Sequence, residues 1–298
     1  MKFGAVEDPS LVDFVLPEDH PGTERILTTQ SSGEAFEAYV GCSKWNRADL
    51  KHFYPRGTKD DLAYYARQFN CIEHNATFHR NYGPDQMEKW ASKVPDNFKF
   101  FPKVSRYISH LKRLKEVEVY VDEHCHNISH FGDKLEMAFI QLHDNFAPKD
   151  RDRVKAFIEA WYVNIPLAIE LRNTHWFHDE EVSEWLYDLL EKHHVANVIT
   201  DTAGRRDLLH MRLTTSEAFV RFVGANHESD YSRMEDWIDR IQTWKAMGLN
   251  KLYFFVHQNL EKASPYLADY FISRLNEEFD LQLKRPKLLE EYENSRLF

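Results

Sequence analysis

Leu167-Ala-Ile-Glu-Leu-Arg172 starts as a buried strand should and ends as one should not. Its aliphatic residues suit a strand covered on both faces, yet Glu170 and Arg172 close it with opposite charges. Seven more runs follow the same plan: Ala38-Tyr-Val-Gly-Cys42, Cys71-Ile-Glu-His-Asn75, Lys99-Phe-Phe-Pro-Lys103, Met137-Ala-Phe-Ile-Gln-Leu142, Ala196-Asn-Val-Ile-Thr-Asp201, Ala218-Phe-Val-Arg-Phe-Val223 and Lys251-Leu-Tyr-Phe-Phe-Val-His257. Each is short and rich in aliphatic or aromatic residues, and most end on a polar or charged side chain.

Helix signals fill the gaps. Thr58-Lys-Asp-Asp61 resembles a capping box ahead of Leu62, Tyr65, Ala66 and Phe69, and Ser232-Arg-Met-Glu235 repeats it before Ile238 and Ile241, with Gly248 as the stop. Ser264-Pro265 supplies a cap and a first-turn proline before Leu267, Phe271 and Leu275, and Val182, Trp185, Leu186 and Leu189 mark another amphipathic helix. Residues 78–98 hold only a short helix around Gln86 to Lys93, and residues 202–217 have no strong periodicity. Strand and helix alternate nearly throughout, which predicts an α/β chain of parallel strands with crossover helices. Eight such units close most naturally as a TIM-type (β/α)8 barrel, regular or not in every unit, because closure removes both sheet edges. An open doubly wound sheet is the alternative, but no Gly-x-Gly-x-x-Gly follows the first run. The expected organisation is an N-terminal arm at 1–37, the barrel at 38–278 and a C-terminal tail at 279–298. Phe3, Leu11, Phe14, Val15 and Leu16 give the arm apolar residues with which to pack on the body.

With 298 residues and 43% hydrophobic content, the chain can bury a large core. Its 38 basic and 48 acidic residues give a formal charge of -10, which disfavours nonspecific attraction to nucleic acid or anionic membrane. The three cysteines, Cys42, Cys71 and Cys125, are far apart and form no Cys-x-x-Cys, so free thiols in a cytoplasmic protein are expected. No run approaches the roughly 20 apolar residues of a membrane span.

Strand side chains alternate, so residues two apart at a strand end share a face. Glu73, Asn75 and Thr77 form one such set, Gln141 and His143 another, and Glu170 with Arg172 a third. Lys103, Asp201, Arg221 and His257 end or nearly end other runs, at the face where barrel enzymes keep their sites. Polar plugs holding the mouth shut are the competing explanation for any one of them. As a set they favour function, because burying ionised groups costs several kcal/mol each unless they are paired. Lys103, Arg172 and Arg221, with Lys44 and Arg80, suit a phosphate or carboxylate, and Glu73, Glu170 and Asp201 are candidate acids or bases. A small anionic molecule or a phosphodiester is the expected ligand.

Other groupings carry less. Glu123-His-Cys-His126 reads as a solvated helix face rather than a metal motif. His143, Glu170, Asp201 and His257 are chemically suited to a divalent cation, but no motif with ligand spacing supports one, and no cofactor is assigned. Trp176-Phe177 reads as a loop anchor or a pocket wall.

At these same residues the chain resembles the YecE-like family, domain of unknown function seventy-two. The matching pattern is Gly41-Cys-Ser-Lys-Trp45, Phe53-Tyr-Pro55, Leu62-Ala-Tyr-Tyr-Ala66, Phe69 to Glu73, Asn75-Ala-Thr-Phe78, Arg80, Trp90, Pro95, Phe98 and Lys103. It continues through Ile108-Ser-His110, Gln141-Leu142, Ala168-Ile-Glu-Leu-Arg172, Trp176-Phe177, Asp201, Val220-Arg-Phe222 with Gly224, Tyr231, Trp237 and Phe254-Phe255. The resemblance implies a TIM-type barrel similar to those of endonuclease-type and sugar-isomerase-type enzymes, and no settled reaction. Five departures line one side of the expected mouth: Lys44 for a glycine, His79 for a tyrosine, His143-Asp144 for a proline pair, Val223 for a histidine, and His257-Gln258-Asn259 for an asparagine-rich end.

The expected function is therefore a hydrolase or lyase acting on a phosphorylated or other anionic substrate. Glu73, Glu170 and Asp201 are the catalytic candidates. Asn75, Lys103, Gln141, Arg172, Arg221, Trp45, Arg80 and His257 are the substrate-binding ones. A non-catalytic barrel for an anionic metabolite and a divalent-metal nuclease are the competitors.

Overall fold

All eight runs fold as parallel strands. The computed structural model describes residues 4–31 and 33–289. The strands are β1 (Glu37–Cys42), β2 (Cys71–His74), β3 (Lys99–Pro102), β4 (Ala138–Gln141), β5 (Leu167–Glu170), β6 (Ala196–Asn197), β7 (Ile199–Thr202), β8 (Glu217–Gly224) and β9 (Lys251–Gln258). The sixth run is split at Val198, whose N–H still donates to the Ile169 carbonyl of β5 at 2.9 Å, while from Ile199 onward the run pairs with β8.

Hydrogen bonding divides the strands into three sheets, ordered β1-β9-β8-β7, β2-β3 and β4-β5-β6. Isolated parallel bridges, Phe100 to Leu135 and Lys103 to Phe139, link the second sheet to the third. No continuous ladder closes among the described residues. The fold is α/β with parallel sheets, and the closed barrel expected from the unit count is not found as such. Short strands contribute to the breaks, since β2 and β3 span four residues each.

Apolar side chains segregate by strand parity. Cys71, Phe101, Phe139, Ala168, Phe219, Tyr253 and Phe255 belong to one cluster, on the face away from the helices. Their neighbours Ile72, Phe100, Ile140, Ile169, Val220 and Phe254 pack in the larger cluster with helix residues such as Trp237 and Phe271. Fully burying a large apolar side chain contributes about 1.5–3 kcal/mol, so both faces are strongly specified.

The helices keep the expected positions with shifted caps. Asp60, rather than Thr58, accepts from the Ala63 N–H and starts Asp61–Tyr65. The helix expected from Ser232 begins a turn earlier, as Ser229–Met247, and stops at Gly248 with φ 118°. In Glu118–Ser129, Glu123 and His126 are exposed but His124 and Cys125 are buried, so the segment is only half the solvated face expected. Trp176 is fully buried and donates to the Phe146 carbonyl at 2.8 Å, as a loop anchor does.

The N-terminal arm packs on the body through helix Pro21–Gln30, which buries Thr23, Ile26 and Leu27. Asp19 accepts from Arg240 at 2.6 Å and Trp244 at 2.9 Å, and Phe14 lies under the Arg233 guanidinium at 4.5 Å. Leu16 packs on the core, Leu11 and Val15 stay exposed, and Phe3 lies outside the described residues. Helix Ser264–Phe279 is followed by a segment tied back by Arg285 to Asp269 at 2.7 Å; the rest of the expected tail, 290–298, lies outside the described residues. No helix among the described residues is long and apolar enough to cross a membrane.

Asp201 joins three elements. Its carboxylate accepts from Arg206, from Arg233 Nη2 at 2.9 Å and from Trp237 Nε1 at 2.8 Å. Replacing it with alanine leaves buried donors without their anion, a loss that costs about 3–5 kcal/mol. Asp201→Ala should therefore lower the melting temperature sharply in thermal unfolding, and an unchanged midpoint refutes this account. Gly41 has a different role: a Cβ there would lie 2.4 Å from the Cys71 carbonyl oxygen. Gly41→Ala should destabilise by about 1–3 kcal/mol through overpacking, read as a lower denaturant midpoint at unchanged slope.

Candidate functional site

Two residues beyond each inward-facing apolar side chain, most strands carry a polar one. Cys71 leads to Glu73, Phe101 to Lys103, Phe139 to Gln141, Ala168 to Glu170, Phe219 to Arg221 and Phe255 to His257. A polar layer thus sits on the apolar one at the carboxyl ends of the strands.

Arg221 organises that layer. Its Nε and Nη2 each donate at 2.9 Å to the Glu73 carboxylate, and Nη1 donates to Glu170. Asn75 Nδ2 and His257 Nε2 also meet Glu73, each at 2.9 Å, while Arg172 Nε donates to Glu170. Both carboxylates are essentially without solvent exposure. Burial alone would raise the Glu73 carboxyl, but Arg221 and then His257 hold it well below the usual carboxylate range. Burial likewise opposes ionisation of Glu170, and Arg172, Arg221 and Lys103 outweigh it, leaving the group at about 2.

Lys103 behaves differently. Its ammonium donates to Gln141 Oε1 at 2.8 Å and lies 4.4 Å from the centre of the Phe78 ring, with no carboxylate within ion-pair distance among the described residues. Burial first, and then Arg221, bring it down to about 7.

Above the layer opens a cleft of about 440 Å³, lined by Phe78, Arg106, His110, Gln141, His143, Asp144 and Arg172. Arg106 is exposed and has no ion-pair partner among the described residues. His110 is held at about 4 by burial and then by Lys103, so its ring is neutral at pH 7. The arrangement offers two guanidiniums for an anion and a partly neutral amine beneath the cleft floor.

Of the residues expected at the site, Glu73, Asn75, Lys103, Gln141, Glu170, Arg172, Arg221 and His257 come together. Three do not. Asp201 pairs in register with Phe222, one residue beyond Arg221, so its side chain points to the helices. Thr200 holds the inward position instead. Trp45 stacks on His74 at 6.5 Å, and Arg80 is exposed beside the Tyr82 ring. The cation set His143, Glu170, Asp201 and His257 does not converge, and no other group of His, Cys, Asp or Glu suited to a metal occurs among the described residues. Arg106 and His110 escaped assignment because they lie on the loop after β3, partly in the π-helical turn Tyr107–Leu111, where strand parity gives no guidance.

A family model described as "Protein of unknown function DUF72" matches residues 39–290. The "UPF0759 protein YecE" of Escherichia coli K12 is 24% identical over 241 residues, 74% of this chain and 85% of that protein. A DUF72 family protein of Enterococcus faecalis V583 superposes with a TM-score of 0.66 at 15% identity, covering 83% of this chain and 99% of its own. Another, from Thermotoga maritima MSB8, gives 0.66 at 22% identity, with 80% and 99% covered. These structural likenesses speak to fold alone. A match over most of the sequence, carried by a fold the relatives share, makes the chain a member of the DUF72 family.

Proposed function

We propose that the protein is an enzyme of hydrolase or lyase type that acts on a small anionic substrate held in the cleft between Arg106 and Arg172. The observation that carries this reading is the pairing of an uncompensated guanidinium, Arg106, with a buried lysine near neutrality directly below the same cleft. Arginine binds phosphate or carboxylate through parallel hydrogen bonds, and perturbed lysines in clefts serve as bases or nucleophiles. Lys103 is the proton-transferring group in this reading. Glu73 and Glu170 hold Arg221 and set the charge around the amine, while Asn75 and His257 fix Glu73 and Gln141 accepts from the amine itself.

We also read the three sheets as arcs of one (β/α)8 barrel. Support comes from the inward apolar cluster, which draws on the first and last sheets in common, and from the bridges between β3 and β4. A cytoplasmic setting agrees with three buried free cysteines.

Two measurements test the enzyme reading. Inorganic phosphate should raise the melting temperature by mass action, and Arg106→Ala should weaken its apparent affinity about tenfold. No stabilisation at millimolar phosphate removes the anion cleft from consideration. In a panel of phosphate and carboxylate esters, kcat/KM should rise with pH through about 7 as Lys103 loses its proton, because only the neutral amine accepts one. Lys103→Met should reduce turnover about a hundredfold or more. Anion binding without any product sinks catalysis and leaves a binding protein.

A further inference from the structure

We infer that Lys103 is a nucleophile, forming a Schiff base with an anionic aldehyde or ketone whose charged end is held by Arg106 and Arg172. The inference rests on the anion-binding reading of the cleft and adds the class of substrate. Three observations on Lys103 carry it.

First, the amine is placed for reaction. It lies at the carboxyl end of β3, covered on the cleft side by the Gln141 amide, a neutral group that both hydrogen-bonds Nζ and lines the cavity. Lys103 keeps a small exposure, and in this proposal a rotation of the Gln141 side chain opens Nζ to the cavity. Second, the amine is left out of the pairing around it. Glu73 and Glu170 lie close enough to act on it electrostatically, yet they spend their hydrogen bonds on Arg221, Arg172, Asn75 and His257. A lysine needed only to neutralise a carboxylate would be paired with one. Third, Nζ is buried, and the desolvation outweighs the attraction of the Phe78 and Phe139 ring faces, 4.4 Å and 5.7 Å away, for a cation, which favours the uncharged amine a carbonyl requires.

The step balances simply. The neutral Nζ adds to the carbonyl carbon, forming a C–N bond and a carbinolamine. The former carbonyl oxygen then departs as water with the two hydrogens that the amine supplied, leaving a C=N bond. Protonation of that nitrogen gives an iminium that accepts the electron pair of an adjacent breaking bond. His110 and His143 line the same cleft and can relay the protons. No external oxidant or reductant enters, and a lyase is the natural consequence.

Reductive trapping provides the test. The full chain is incubated with pyruvate or dihydroxyacetone phosphate and borohydride, then digested and mapped by mass spectrometry. The expected result is a reduced adduct at Lys103, absent in Lys103→Arg and about tenfold slower to form in Arg106→Ala. Modification confined to exposed lysines, or equal trapping in Lys103→Arg, overturns the inference. Melting curves with the same compounds separate the two levels. Stabilisation without an adduct at Lys103 rejects the Schiff base and leaves the anion cleft standing, whereas absence of both rejects each.

Discussion

The arrangement at the strand ends depends on one guanidinium buried between two carboxylates. Arg221, Glu73 and Glu170 are all nearly inaccessible, and each alone would be expensive to bury. Together they satisfy one another through charge-assisted hydrogen bonds from three strands, β2, β5 and β8. Geometry follows from charge: two carboxylates flank one planar fork, and the fork fixes where β8 stands relative to β2 and β5. Asn75, His257 and Arg172 then find their places around carboxylates already held.

This buried network also bears on how a chain with a formal charge of -10 presents Arg106 and Arg172 to the cleft above it. Glu73 and Glu170 are consumed internally, so Asp144 is the only carboxylate among the residues that line the cleft with Arg106 and Arg172. Overall charge governs distant encounters, whereas the cleft is governed by which groups are already paired. Lys103 shows the same principle in reverse, since its potential partners are engaged elsewhere, and burial, then Arg221, lower its proton affinity against the pull of Glu73 and Glu170.

Much of this was legible because a strand has a period of two. Cys71 and Glu73, Phe139 and Gln141, Ala168 and Glu170 share faces by arithmetic, and the structure assembles them in one layer. Asp201 breaks the pattern because a run end has a face only relative to an inward neighbour: Val198 faces inward, so Thr200 follows it and Asp201 turns to Arg233 and Trp237. Arg106 and His110 were not legible, since the loop holding them has neither strand nor α-helical repeat. Sheet continuity was likewise hidden. Unit count speaks for eight repeats, but beside β1 the Val40 and Cys42 N–H groups donate to the Asn70 and Tyr65 side chains instead of to β2, which no periodicity encodes.

The pairing of β1 with β9 has a consequence for the order in which the molecule can be made. Glu37 meets Lys251 and Cys42 meets Val256, so β1 acquires its hydrogen-bonded neighbour from a segment synthesised far later. Until then the β1 edge has unmet backbone groups beside apolar side chains, a surface prone to wrong pairing. Loop closure over so long a separation also makes that contact slow. Assembly of the sheet therefore waits for β9, and a nascent chain that lacks it depends on whatever shields β1 while synthesis continues.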